Sequence, residues 1–161
     1  MQDEKLRLKL DMSALAVIAV LASSVAGQFA TSDNLGWYAG LAKPAFNPPN
    51  GIFAPVWGAL YLLMAFAIWR VVRLPSAPTR SVALTLFFLQ LALNAAWSWM
   101  FFAEHSPQLG LINIIPQFLI IVATIIVFLR LDWMAGLALV PLAAWVGFAT
   151  ALNAAIWQMN G

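Results

Sequence analysis

Five apolar runs, separated by short polar breaks, set the plan of this chain: 12–30, 52–72, 82–103, 109–129 and 133–157. Each is close to the ~20 residues that a helix needs to cross ~30 Å of hydrocarbon. No run holds Asp, Glu, Lys or Arg in its interior. The breaks concentrate the charges and prolines: a mixed-charge flank over 1–11, Arg73 to Arg80 with Pro75 and Pro78, then Glu104-His105-Ser106-Pro107, then Arg130-Leu131-Asp132. Pro116 inside the fourth run is tolerable where neighbouring helices re-satisfy the freed carbonyl. The pattern predicts an all-α membrane protein, a five-transmembrane-helix bundle forming one domain over 1–161, with a long structured loop between helices 1 and 2. The first run also resembles a secretory signal with a small-residue site at Ser24-Val25-Ala26; an uncleaved first helix is the expectation. Ser23 and Gly27 in that run form a small-xxx-small pair suited to close helix packing.

The loop region, 37–61, is unlike a flexible spacer. Pro44, Pro48, Pro49 and Pro55 fix φ and withhold their N–H groups from any regular ladder. They also push Lys43, Asn47 and Ala54 toward extended geometry. Trp37, Tyr38, Phe46, Phe53, Trp57 and Tyr61 alternate with them. One reading is an interfacial aromatic belt; the other is a stiff cover over something apolar.

Composition narrows the function classes. Of 161 residues, 63% are hydrophobic and only 9% charged, against roughly 25% charged in soluble domains. A net charge of +2 with no basic aromatic cluster gives no nucleic-acid surface. There is no cysteine, so disulfide and thiolate chemistry are excluded, and the single histidine, His105, rules out a multi-histidine metal centre. His105 reads as a solvated turn residue. Loops alternate sides, so Lys5, Arg7, Lys9, Arg70, Arg73, Arg80 and Arg130 share one face and Lys43 lies opposite. The positive-inside rule then places the N-terminus in the cytoplasm and the aromatic loop outside. Acidic as well as basic residues in the first eleven argue against a transit peptide and favour a bacterial membrane.

Pumps and ion channels keep ionisable groups at membrane depth; the intramembrane polar residues here are the neutral Gln90, Asn94, Asn113, Gln117 and Asn153. Interhelical hydrogen bonding explains them at the simplest level. Their spacing adds a second reading. Gln90, Asn94, Trp97 and Phe101 share one face of helix 3, and Trp145, Ala149, Asn153 and Trp157 share one face of helix 5. Trp57 and Tyr61 form a further aromatic pair on helix 2. Flat aromatics with a few amides suit a flat, mostly apolar ligand held between helices. The echo of LNAAW at 93–97 in LNAAIW at 152–157 is too short to infer a repeat.

Three ordered motifs carry a family resemblance: WY-x-x-L-x-KP-x-x-NPP followed by P-x-W-x-x-LY over 37–61, QLALNAAWSWMFF at 90–102, and LVPLAAWVGFATALNAAIWQMN at 139–160. The chain resembles the tryptophan-rich sensory protein / translocator protein family (TspO/MBR, the peripheral-type benzodiazepine receptors). That resemblance implies a pocket beneath the first loop, lined by helices 1, 2, 3 and 5, for porphyrins such as protoporphyrin, haem-related tetrapyrroles, sterols and synthetic carboxamides. It also implies a homodimer, for which Ala92 and Ala96 offer a small-residue face. By the same resemblance Trp57, Tyr61, Asn94, Trp97, Trp145, Ala149 and Asn153 line or brace the pocket and Phe46 is a lid aromatic. Asn94 would hydrogen-bond a ligand carbonyl or propionate and Trp145 would stack on a ring.

Departures from the family pattern bear on the ligand. Ala45-Phe46 stands where two bulky aromatics are common, Ile52 where a tryptophan is common, and Leu142 where a tyrosine is common. A less aromatic lid implies weaker porphyrin binding. No L/V-x-Y-x-K/R pattern occurs in the C-terminal stretch, which lowers the expectation for sterol. No obligatory cofactor is expected, since His105 at a helix end is poorly placed for haem ligation; a porphyrin or haem-type tetrapyrrole is the expected ligand. The leading reading is a membrane receptor or transporter-like protein that regulates tetrapyrrole level or stress signalling. An alternative is light-dependent oxidative porphyrin degradation with Trp57, Trp97 and Trp145 as electron donors. A sterol- or lipid-binding or purely structural membrane protein is the third.

Overall fold

The computed structural model describes residues 2–161, with the side chains of residues 2–6, 8 and 9 outside the described set. The charged flank expected over 1–11 therefore lies partly outside the described residues; Arg7, Leu10 and Asp11 within it are exposed. The elements are α1 (Gln2–Ser32), α2 (Leu35–Gly40), α3 (Asn50–Val72), α4 (Pro78–Ser98), a π-helical turn (Trp99–Ala103), α5 (Pro107–Leu131), α6 (Trp133–Ala138) and α7 (Val140–Asn160). Five stretches are long and apolar enough to cross a membrane: Leu10–Ser32, Asn50–Val72, Pro78–Ala103, Pro107–Leu131 and Trp133–Asn160. The protein is thus an all-helical, five-span membrane bundle.

Most helices outrun the apolar runs of the sequence, because caps rather than hydropathy end them. Pro78 and Pro107 open α4 and α5, where a missing N–H costs nothing. Ser106 Oγ accepts from the Leu109 N–H at 3.2 Å, and Asp132 Oδ1 accepts from the Ala135 N–H at 3.1 Å to start α6.

Three local features were not anticipated. The loop before the second span is shorter than expected: α2 occupies its start and α3 begins at Asn50, two residues before the expected Ile52, so only 41–49 is irregular. The fifth span breaks at Leu139, because Pro141 in the first turn of α7 has no N–H to continue the ladder from α6. The third span ends in a π-turn, with Glu104 N–H donating to Trp99 O at 3.0 Å and Ser106 N–H to Phe101 O at 3.2 Å, both five residues back. Such turns recur at functional sites.

Helix α1 packs against α3 and α4, α4 against α5, and α5 against α7, while α3 also meets α6. Ser23 and Gly27 make the α1–α4 seam. Ser23 Oγ donates to Leu91 O at 3.2 Å, and a Cβ on Gly27 would sit 3.1 Å from Ser98 Oγ. The dry core fills the half of the bundle nearer the α1 N-terminus. There Met64, Ile68, Phe87, Ile121, Phe128, Leu139 and Leu142 are wholly buried, with Phe87 and Phe128 stacked at 5.8 Å. Outward side chains are apolar, such as Leu15, Ile18, Leu21, Val25 and Phe29 along α1, as hydrocarbon contact requires.

Candidate functional site

The other half of the bundle is hollow. A cavity of about 610 Å³ lies between α1, α2, α3, α4 with its π-turn, α5 and α7, within the range of sites for drug-sized ligands. One wall is aromatic: Phe53 and Trp57 from α3, Trp97 and Phe101 from α4 and the π-turn, and Trp145 from α7. Phe53 meets Trp145 edge-on at 5.8 Å, and Trp97 stacks on Phe101 at 5.0 Å. The facing wall, from α1, is small and polar: Ser24, Gly27, Gln28 and Thr31.

Seven of the eight residues expected at the site line this cavity: Trp57, Tyr61, Asn94, Trp97, Trp145, Ala149 and Asn153. Phe46 does not. It is half-exposed and lies edge-on to Phe148 at 6.2 Å, on the outside of the aromatic cluster.

The amides divide into two kinds. Asn153 is committed to the protein: its Oδ1 accepts from Trp97 Nε1–H at 3.0 Å and its Nδ2 donates to Pro107 O at 2.7 Å. It fixes the Trp97 ring and closes the α5 N-terminus. Gly110 allows this, since a Cβ there would come within 2.8 Å of Asn153 Oδ1 and of Phe101. Asn94 is committed on one side only. Its Oδ1 accepts from Tyr61 Oη–H at 2.7 Å, while Nδ2 has no partner. Gln117, 2% exposed on the same cavity wall, leaves its Oε1 without a partner. A buried polar group left unpaired is costly. Asn94 and Gln117 thus both line the cavity, and each holds one buried polar atom that no protein group satisfies. Gln90 Oε1 and Asn113 Oδ1 are also unpartnered but lie away from the cavity.

The roof is pinned at several points. Tyr38, on the cavity wall, donates to Asn47 Oδ1 at 3.0 Å. Burial raises its phenol pKa, partly offset by that bond. Lys43 Nζ sits 4.6 Å above the Tyr38 ring. Asn160 bonds both ways to the backbone of Ala42, accepting from N–H and donating to C=O, each at 2.9 Å. His105, read from sequence as a solvated turn residue, is exposed but engaged. Its ring stacks on Trp37 at 4.7 Å, its Nε2 lies 2.8 Å from Asn34 Oδ1, and its φ of 51° turns the chain between the π-turn and α5. It is not on the cavity wall.

The mouth is lateral. The exposed lining residues all come from one seam: Gln28 and Ser32 of α1, Leu35 of α2, and Asn50, Ala54 and Gly58 of α3. A Cβ on Gly58 would meet nothing within 4 Å.

The sequence reading left out Phe53, Phe101, Phe102 and Gln117 as site residues, and it expected helix 1 as a wall without naming its residues. Spacing held a signal for that wall: Ser24, Gly27, Gln28 and Thr31 fall at i, i+3, i+4 and i+7, a polar stripe on an otherwise apolar helix.

Residues 14–158 match the TspO/MBR family. The chain is 39% identical to the tryptophan-rich protein TspO of Chlorobaculum tepidum over 91% of its length and 94% of that protein. Identity to the tryptophan-rich protein TspO of Archaeoglobus fulgidus is also 39%, over 90% of this chain and 94% of that one. To the human translocator protein it is 34%, over 84% and 82%. With a five-span bundle and an aromatic cavity where the motifs converge, this chain belongs to the TspO/MBR family of integral membrane proteins.

Proposed function

We propose that this protein is a membrane receptor or transporter-like protein that binds a tetrapyrrole, of the protoporphyrin or haem-related type, in the cavity beneath 41–49 and regulates its level. What supports this reading is the pairing, around one cavity of about 610 Å³, of a flat aromatic wall with two lining amides, Asn94 and Gln117, each of which holds a buried polar atom without a partner. Trp145 and Phe53 present ring faces and edges to a macrocycle. Asn94 Nδ2 donates to a carboxylate or carbonyl oxygen. Gln117 Oε1 accepts from a ring N–H. Phe46 acts from outside, buttressing Phe148 and through it Trp145, whose rings lie 5.6 Å apart. The N-terminal face, rich in Arg and Lys, is cytoplasmic in this reading, and the protein pairs as a homodimer in a bacterial membrane.

The test is quenching of tryptophan fluorescence by protoporphyrin in nanodiscs, for the wild type, Asn94→Ala and Trp145→Ala. Saturable quenching weakened by either substitution, with the helical signal intact, supports the reading. Equal quenching in all three means that the porphyrin only partitions into the lipid. A second reading, light-dependent oxidation of the bound porphyrin, is favoured by three tryptophans on the wall, Trp57, Trp97 and Trp145. Light-dependent loss of porphyrin absorbance that Trp145→Phe abolishes would select it.

A further inference from the structure

At the opposite end of the bundle, where α3 finishes beside the start of α6, lies a second concavity of about 260 Å³, lined by Trp69, Arg70, Arg73, Leu74 and Asp132. Arg70 directs Nε and Nη2 onto a single oxygen, Asp132 Oδ2, each at 2.8 Å, and its guanidinium lies 5.6 Å from the Phe66 ring centre. Arg73 Cζ lies over the Trp69 ring, 4.8 Å from its centre, and, among the described residues, Arg73 has no carboxylate partner: the pair between Arg70 and Asp132 is the one ion pair there. Two guanidiniums thus face one carboxylate, leaving an excess of one positive charge in a recess walled by an indole. Arg80 does not compete for an anion in it, because its Nε and Nη2 donate to Val71 O at 3.3 Å and Val72 O at 2.7 Å.

We propose that this recess binds a phosphate group, supplied by the headgroup of an anionic phospholipid. Planar guanidinium forks match phosphate oxygens two at a time. Arg70 is held in place by Asp132 with its Nη1 still free, and Arg73 is held by the indole, so little side-chain order remains to be lost on binding. The recess sits at the end of two membrane spans, Asn50–Val72 and Pro107–Leu131, the depth at which lipid phosphates lie. The exposed Trp69 on its wall and Trp133, next to Asp132 in the chain, suit interfacial anchors. Basic pockets between span ends are a recurrent way of holding lipid headgroups.

The test uses the full chain in neutral detergent, with thermal unfolding followed on addition of phosphatidylglycerol, phosphatidylcholine or inorganic phosphate. Arg73→Gln is compared with Arg130→Gln, which removes an exposed charge outside the recess. The expected result is a rise in Tm with phosphatidylglycerol that exceeds the rise with phosphatidylcholine. The excess should be largely lost in Arg73→Gln and kept in Arg130→Gln. A wild-type response equal for the two lipids, or an excess lost equally in both variants, overturns the site. A full response to inorganic phosphate alone, absent in Arg73→Gln, overturns the lipid as its source.

Discussion

Tyr61 donates its hydroxyl proton to Asn94 Oδ1 across 2.7 Å, and this one bond decides what Asn94 can do. With the carbonyl oxygen occupied, the amide is oriented, and its Nδ2 is left buried and unpartnered in a residue that lines the cavity. Tyr61→Phe removes the orienting bond without removing the ring. Porphyrin affinity is expected to fall by about tenfold, the equivalent of ~1.4 kcal/mol, as for loss of a preorganised hydrogen bond. Quenching titrations against wild type measure it.

Asn94 and Asn153 make opposite predictions. Asn153→Ala strands Trp97 Nε1–H and removes the side-chain tie to Pro107 O, so unfolding in detergent should be easier by about 1–3 kcal/mol. Asn94→Ala breaks one bond and deletes an amine that is already unsatisfied, so its stability cost should be smaller and its effect on ligand affinity larger. Parallel Tm and titration measurements on the two variants separate brace from binder. Equal losses in both assays would show that both act structurally.

Close approach at Gly110 is a packing requirement. Gly110→Ala drives a Cβ to 2.8 Å from Asn153 Oδ1 and Phe101 Cδ2, and overpacking of this kind costs about 1–3 kcal/mol. Gly58→Ala, with open space around its Cβ, should leave the unfolding free energy within ~0.5 kcal/mol of wild type. A Gly110 variant as stable as the Gly58 one would show that α5 and the π-turn can separate freely.

Acid should loosen the joint between α3 and α6. Burial by itself would raise the Asp132 pKa, but the Ala135 N–H, the bond from Arg70 and the Arg70 charge together hold it below the usual carboxylate value. A depressed folded-state pKa means the contribution is complete above the unfolded value, roughly 4, and disappears as pH falls through the folded one. Thermal unfolding from pH 7 downward should therefore show the wild type losing its advantage over Asp132→Asn below about pH 4. A difference that stayed constant with pH would mean that the carboxylate charge contributes nothing.

The spans and the pocket walls were legible because two periodicities dominate this chain. Runs near twenty apolar residues mark helices, and Gln90, Asn94, Trp97 and Phe101 or Trp145, Ala149 and Asn153 fall on single faces. Spacing places a side chain on a face but does not say what it bonds. Asn94 and Asn153 look alike in sequence, and only the positions of Tyr61 and Pro107 make one of them half-free and the other fully engaged. The π-turn escaped notice because five residues closing one wider turn leave no compositional mark. Phe46, expected at the lid by resemblance, stands half-exposed against Phe148 and is not among the residues lining the cavity.

The lateral mouth bears on how any affinity for this protein is expressed. From Asn50 to Gly58 the rim descends eight residues along α3, about 12 Å at ~1.5 Å per residue, inside a membrane-spanning stretch. For a ligand bound there as proposed, the reservoir would then be the surrounding leaflet. Occupancy follows the mole fraction of ligand dissolved in lipid. A dissociation constant quoted per volume of water will drift with every change in the lipid-to-protein ratio, while one quoted per mole of lipid will hold still.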